Sequence, residues 1–265
     1  MRIKVVFSLM ILTFIIALNE GAMISFADIS KDLVLYMTFD KNAISGEDVK
    51  DLSQNGNNGT ILGGPQVVDG YIGKALDFNG ATDSVVIETS DSLAKTASAI
   101  TMEAWIFPRA FGSDREIISK WDNVMNGIIH FEGKTGGNMR FCMRNKDDGT
   151  IVNFNTGEAL STETWAHVAE TYDGKTAKVF FDGAEVFKQN CAGDMRENPD
   201  VKWWIGSMYA QGRYFDGLID EVRIWTKALS EKEIKENMDK GVTELLAVNK
   251  AGKLATIWGQ VKNDQ

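Results

Sequence analysis

From Leu33 onward the chain alternates short runs of β-branched and aromatic residues with clusters of Gly, Asn and Asp. The runs include LVLYMTF, KALDF, SVVIE, ITMEAWIF, EIISKW, GIIHF, MRFCMR, TWAHVAETY, AKVFFDG, AEVFK, WWIGSMY and YFDGLIDEVRIW. Roughly a dozen strands at this spacing, separated by turn signals, predict an all-β protein built as a two-sheet antiparallel sandwich or jelly roll. Asp173-Gly174 and Asp182-Gly183 lie between alternating apolar runs and predict two hairpins. The stretch DLSQNGNNGT predicts a loop with backbone positions suited to positive φ. It is too polar to be buried unless its groups find partners.

The periodicity changes after Trp225. Ser230 followed by Glu233 is a capping-box pattern, Ile234 and Met238 share one helical face, and Gly241 suits the residue that follows a helix. A short C-terminal helix of about three turns across an edge of the sandwich is expected. Leu254, Ile257, Trp258 and Val261 form a small apolar stripe in the last residues, which reads as a docked terminal segment or a detached interaction tail.

At the other end, Arg2 and Lys4 precede an apolar run from Val5 to Leu18, then small and polar residues. A run this short suits a secretory signal better than a bilayer span, and Ser25-Phe26-Ala27 places cleavage after Ala27; an uncleaved anchor is the alternative. Both put the globular part outside the cytoplasm, in a bacterial periplasm, at a cell surface or secreted. The division is thus a signal peptide over 1–27, one domain over 28–242 and a tail over 243–265.

Charge narrows the partners. Of 28 basic and 37 acidic side chains, removal of residues 1–27 leaves 26 and 36, a net charge of −10. Such a surface disfavours nucleic acid and anionic lipid and tolerates divalent cations. Two cysteines, Cys142 and Cys191, have no metal-binding spacing and read either as one disulfide or as two free thiols.

Much chemistry is missing from the sequence. His130 and His167 are the only histidines, both in apolar strand contexts, which leaves little material for a zinc site or a Ser-His-Asp triad. No phosphate loop or dinucleotide fingerprint is present. Acids alternating along one strand, as in sandwich-fold glycosidases, are also absent, and Asp114 and Glu116 read as a solvated strand edge.

The ordered succession LVLYMTFD, DLSQNGNNGT, GYIGKALDFNGATDSVVI, ITMEAWIFP, IISKWD, TWAHVAETYDG, VFFDGAEV, WWIGS and YFDGLIDEVRIWTKALSEKEI resembles the LamG-like jelly-roll domain of the concanavalin A-like lectin/glucanase superfamily. The resemblance covers nearly all of the chain after residue 30. It implies a two-sheet sandwich, typically secreted, in which many members hold a structural Ca²⁺ and some bind glycans or protein partners. It does not imply catalysis.

Strand alternation puts Asp220 in phase with Val222 and Ile224, and Glu221 with Arg223 and Trp225. If Val222 and Ile224 face the core, so does Asp220, and a buried carboxylate needs a partner. The resemblance brings the first and last strands together, so Asp40, Asn79 and Asp220 are expected to converge on one Ca²⁺; turn bonds and an arginine partner are the alternative. For a ligand, Trp203 reads as core and Trp204 as its outward neighbour. Trp121, Asp122, Asn123, Trp204, Tyr209 and Arg213 form the candidate surface, each with ordinary packing as its alternative. The functional expectation is a non-catalytic module for glycan, with a cell-surface protein partner as the second reading and a glycoside hydrolase of the same fold as the third.

Overall fold

A computed structural model of the protein describes residues 31–121, 128–147, 149–210 and 212–246. The expected leader, Asp122, Asn123 and the apolar stripe at 254–261 lie outside the described residues.

Two antiparallel sheets form the sandwich. Along the chain the strands are β1 (Leu33–Met37), β2 (Ile44–Ser45), β3 (Asp48–Val49), β4 (Gly59–Leu62), β5 (Gln66–Asp69), β6 (Lys74–Asn79), β7 (Ser84–Ile87), β8 (Ile100–Pro108), β9 (Arg115–Lys120), β10 (Ile129–Gly133), β11 (Asn138–Arg144) and β12 (Thr150–Ala159), then β13 (Ala166–Tyr172), β14 (Thr176–Phe181), β15 (Ala184–Asn190), β16 (Trp203–Ile205) and β17 (Asp216–Trp225). One sheet has the order β15-β14-β13-β8-β17-β6-β5, with β1 as its eighth strand against β17. The other has nine strands, β12-β11-β10-β9-β16-β7-β4-β3-β2.

Their facing sides bury one apolar cluster that includes Leu76, Phe78, Met102, Ile118, Phe131, Phe141, Val168, Trp203, Ile219, Val222 and Ile224. Period-two alternation produces this face directly: Ile129 and Phe131 point in, while His130 and Glu132 between them point out. One intruder breaks the apolar rule. Glu170 shares the inward phase of Val168 and Tyr172, is wholly buried, and neither of its carboxyl oxygens has a hydrogen-bond partner.

The expected turns are present. Asp182 (φ 47°) and Gly183 (φ 76°) join β14 to β15, and the Asp173 carboxylate accepts the N–H groups of Lys175 and Thr176 beside Gly174. The polar loop 51–60 finds the partners its burial requires, because Asp51 accepts N–H groups from Tyr36, Ser53 and Asn57.

The described helices are short and include α1 (Asp91–Ala94) and α2 (Glu231–Asn237). The capping box at Ser230 and Glu233 is formed, but α2 has two turns rather than three and ends at Met238. Gly241 does not act as the C-terminal cap: its carbonyl accepts the N–H groups of Glu244 and Leu245, starting a further helical turn over 242–246. Instead of crossing an edge, α2 covers the outer face of the eight-stranded sheet. There Ile234 and Leu245 join a second apolar cluster with Leu33, Tyr36, Ala169, Phe180 and Trp225.

The acids of YFDGLIDEVRIW sit where β17 changes partner. Residues 216–219 pair with β6 and 222–225 with β1, and a bulge interrupts the register with β8 between Asp220 and Arg223. Glu221 takes a left-handed φ of 53° in that bulge. The extra residue reverses the phase, so Asp220 opposes Trp105 on the outer side of the sheet and does not share the core side of Val222 and Ile224. Simple alternation therefore misplaces it.

Candidate functional site

The outer face of the nine-stranded sheet carries a dense polar cluster. Glu132 on β10 opposes Glu116 on β9 and Arg140 on β11. A bulge makes this possible: Phe131 pairs with Ile118 but Glu132 pairs with Glu116, so Ile117 is an extra residue. Without it Glu116 would share the inward phase of Ile118. With it, Ile117 and Ile118 both enter the core and Glu116 turns outward.

Glu116 and Glu132 are both fully buried, with a carboxyl oxygen of each within 4.8 Å of the other. Burial pushes Glu116 up to about 8 and Glu132 up to about 7, the second also through the charge of Glu116. The pair holds at least one proton at neutral pH, as two carboxylates in contact must. Glu116 Oε1 also meets Nδ1 of His130, which burial pushes down to about 3 and so keeps neutral.

Two guanidinium groups clamp the remaining acid surface. Arg140 donates to Glu132 Oε1 at 2.7 Å and Arg213 donates to Glu132 Oε2 at 2.6 Å. Arg213 also lies 3.5 Å from Glu116 Oε1. Donor atoms of Glu116, His130 and Glu132 lie within 4.8 Å of one another, a spacing that suits a metal ion. The arginines already supply the cations against these carboxylates, so the trio is an arginine-clamped acid pair and not a vacant coordination sphere.

Several of the expected ligand residues gather here. Trp121 stacks on His130 with ring centroids 3.8 Å apart, and the guanidinium of Arg144 lies 4.9 Å from the Trp121 ring. These two neighbours cover the indole, which makes Trp121 a support for the site. Trp204 stands on β16 in one cross-strand row with Ser119 and His130, and it is half-buried, with no ring or cation over it among the described residues. Its neighbour Trp203 is core, as expected.

Arg213 and Tyr209 belong to the loop between β16 and β17. Tyr209, Ala210 and Arg213 have φ values of 45°, 53° and 52°. Side chains rarely accept the left-handed region, and such strain persists only where surrounding contacts impose it. Here Ser207 Oγ accepts the N–H of Ala210 at 3.2 Å, the Tyr214 hydroxyl donates to the Ala210 carbonyl, and Glu132 holds Arg213.

The expected calcium ligands do not all meet. Asp40 Oδ1 accepts the N–H of Lys74, and Asp220 Oδ2 accepts the N–H of Ile72, both at 2.9 Å, so the two acids flank one turn between β5 and β6. Asn79 lies at the far end of β6, roughly 16 Å away at the rise of a strand. Its amide closes the next turn, accepting N–H groups of Ala81 and Thr82. Burial pushes Asp220 up to about 8, and the charges of Glu221 and Asp40 add to that. Two neighbouring acids, one wholly buried, are a donor set that suits a divalent cation, and Asn79 is not part of it.

The other buried charges of β17 are structural. Arg223 binds Glu221 Oε2 at 2.5 Å, the Asn237 carbonyl at 3.0 Å and the Lys240 carbonyl at 2.6 Å, tying α2 to the sheet. Tyr36 donates to Glu221, and Trp225 donates to Glu103 at 3.1 Å. His167 is buried with Nε2 3.7 Å from Glu103, and burial pushes it down to about 3. Cys142 and Cys191 are free thiols, Cys142 buried beside the acid pair.

A family model for the concanavalin A-like lectin/glucanases superfamily matches residues 79–235, more than half of the chain. The chain belongs to this superfamily. No curated protein sequence matches it. Among solved structures, this superfamily member is similar to the binding domain of Paraclostridial Mosquitocidal Protein 1 (19% identity, TM-score 0.62, covering 78% of this chain and 52% of that one). It is also similar to domain 4 of AbnA, a GH43 extracellular arabinanase from Geobacillus stearothermophilus, in complex with arabinotriose (22% identity, TM-score 0.61, covering 77% and 97%). A third is a botulinum neurotoxin type C structure whose cell entry depends on two ganglioside molecules (13% identity, TM-score 0.62, covering 81% and 53%). The chain thus spans about half of the toxin chains and nearly all of the arabinanase domain. These likenesses establish the two-sheet jelly-roll fold. Among the described residues no helix is long and apolar enough to cross a membrane.

Proposed function

We propose that the chain is a non-catalytic carbohydrate-binding module acting outside the cytoplasm, with its ligand surface on the outer face of the nine-stranded sheet. The observation that carries this reading is that one sheet face holds a half-buried indole, Trp204, with no ring or cation over it among the described residues, and a fixed floor of hydrogen-bonding groups formed by Glu132, Arg140 and Arg213. Sugars need both, an aromatic plane for their C–H faces and rigid polar groups for their hydroxyls. The arabinotriose complex of the similar arabinanase domain supports the same reading.

The acid pair does not favour hydrolysis. Glycosidases need two carboxyl groups open to the glycosidic bond, whereas Glu116 and Glu132 are both fully buried and Arg140 and Arg213 occupy the two oxygens of Glu132. A glycan array run beside hydrolysis assays tests the proposal. Binding without turnover is expected, and Trp204→Ala should weaken it about tenfold or more while leaving the melting temperature nearly unchanged. Turnover would move the chain to the hydrolases, and silence in both assays would favour a protein partner at the cell surface.

A structural Ca²⁺ held by Asp40 and Asp220 is part of the same proposal. A cation bound only by the folded state raises its stability, so EDTA should lower the melting temperature and added Ca²⁺ restore it. Asp40→Asn should abolish that response, while Asn79→Ala should leave it intact. An unchanged melting curve together with no metal on elemental analysis would remove calcium from the account.

A further inference from the structure

Among its described residues the polar face has a charge surplus, in a protein whose net charge is negative. Its fixed cations are Arg140, Arg144 and Arg213. Lys134 and Asp114 pair with each other at its edge, and Asp114 also lies 3.7 Å from Arg213. His130 and the Cys142 thiol, facing it from β10 and β11, are held neutral by burial, and so is Glu170, which approaches from β13 on the core side. Among the described residues, three guanidinium groups stand against the two acids Glu116 and Glu132, so at least one positive charge remains there even when both are ionised.

The surplus is also aimed. Arg140 and Arg213 are committed to the acid pair, but Arg144 is tied to the site through the face of Trp121, with its charge directed to no carboxylate among the described residues. Arg213 is half-exposed on the strained loop that also presents Tyr209. A guanidinium held by stacking keeps its N–H groups free for a planar anion. Glu116 Oε2 lies below them, fully buried and without a donor.

We propose that this face selects acidic glycans, with a sugar carboxylate received by Arg144. This rests on the carbohydrate reading above and narrows its ligand class to sugars that carry a carboxylate, such as uronic or sialic acids. A proton acts as a second determinant. Glu116 and Glu132 are pushed up by burial, so as pH falls through about 8 and then 7 they become neutral and the three cations lose their counter-charge. Capture of an anionic sugar should strengthen in that direction.

The test measures binding of the whole chain to matched pairs, sialyllactose against lactose and oligogalacturonate against arabinotriose, at pH about 6 and about 8.5 and at low and high salt. One acidic member should bind about tenfold tighter than its neutral counterpart, as expected for one charge-assisted contact, and high salt should weaken it. It should bind several-fold tighter at the lower pH. Arg144→Gln should remove the preference for acid, and Arg144→Lys should restore part of it, which separates lost charge from lost folding. Glu132→Gln should flatten the pH response. Equal binding of the acidic and neutral sugars overturns the acidic class and leaves the carbohydrate reading standing. No binding of any of the four sugars, in a chain that melts cooperatively, overturns both.

Discussion

Glu170 sits deep in the sandwich with no donor for either oxygen, in a place that alternation reserves for an apolar side chain. Burial raises its pKa well above the usual carboxylate range, so the folded protein carries it as the neutral acid. The unfolded chain ionises it near pH 4.3. Its contribution to stability is therefore fully present below that pH and is lost as the pH rises toward its folded value. Glu170→Met should raise the melting temperature at pH 7 to 8, by about 1–3 kcal/mol in stability, and should flatten the slope of stability against pH above about 4.5. Equal melting temperatures across that range in both proteins would show that some donor satisfies the acid. Glu221 poses a different residue-level cost: a left-handed φ at a non-glycine position is retained because its carboxylate anchors both Tyr36 and Arg223.

At the level of elements, two bulges decide where the acids go. Both β9 and β17 contain an extra residue, and in each case an acid that alternation assigns to the core is turned outward. This explains what could be read from the sequence and what could not. The strands, both Asp-Gly hairpins, the capping box and the opposed phases of Trp203 and Trp204 follow from local pattern. The meeting of Glu116 with Glu132 and Arg140 depends on strand order and on a one-residue slip, and neither leaves a local trace; Glu116 looked like a solvated edge for that reason. Asn79 failed to join Asp40 and Asp220 because it closes the opposite end of the strand they flank.

The helix α2 depends on β17 in the same way. Arg223 reaches the carbonyls of Asn237 and Lys240, while Ile234 packs on the sheet. Removing one partner of a buried charge network is costly, so Arg223→Ala should destabilise the protein by about 3–5 kcal/mol. Amide exchange should show α2 and the turn over 242–246 losing protection together. Protection that survives in α2 would mean that its apolar contacts alone hold it.

For the molecule as a whole, the two layers divide the work. The eight-stranded sheet carries α2, the buried ion network and the Asp40–Asp220 pair, while the nine-stranded sheet presents the acid pair and its arginines. The first and last strands meet in the former: Thr226 donates its N–H to the Asp32 carbonyl at 2.7 Å. That closure has a consequence for attachment. Anything covalently continuous with β1 or with the helical turn after α2 leaves from the eight-stranded layer, so a tether on either side leaves the outer face of the nine-stranded sheet pointing away from its point of suspension. Grafted between two halves of a loop in another protein, the domain would span only the short gap between neighbouring strands, and the outer face of its nine-stranded sheet would still be free to engage a surface.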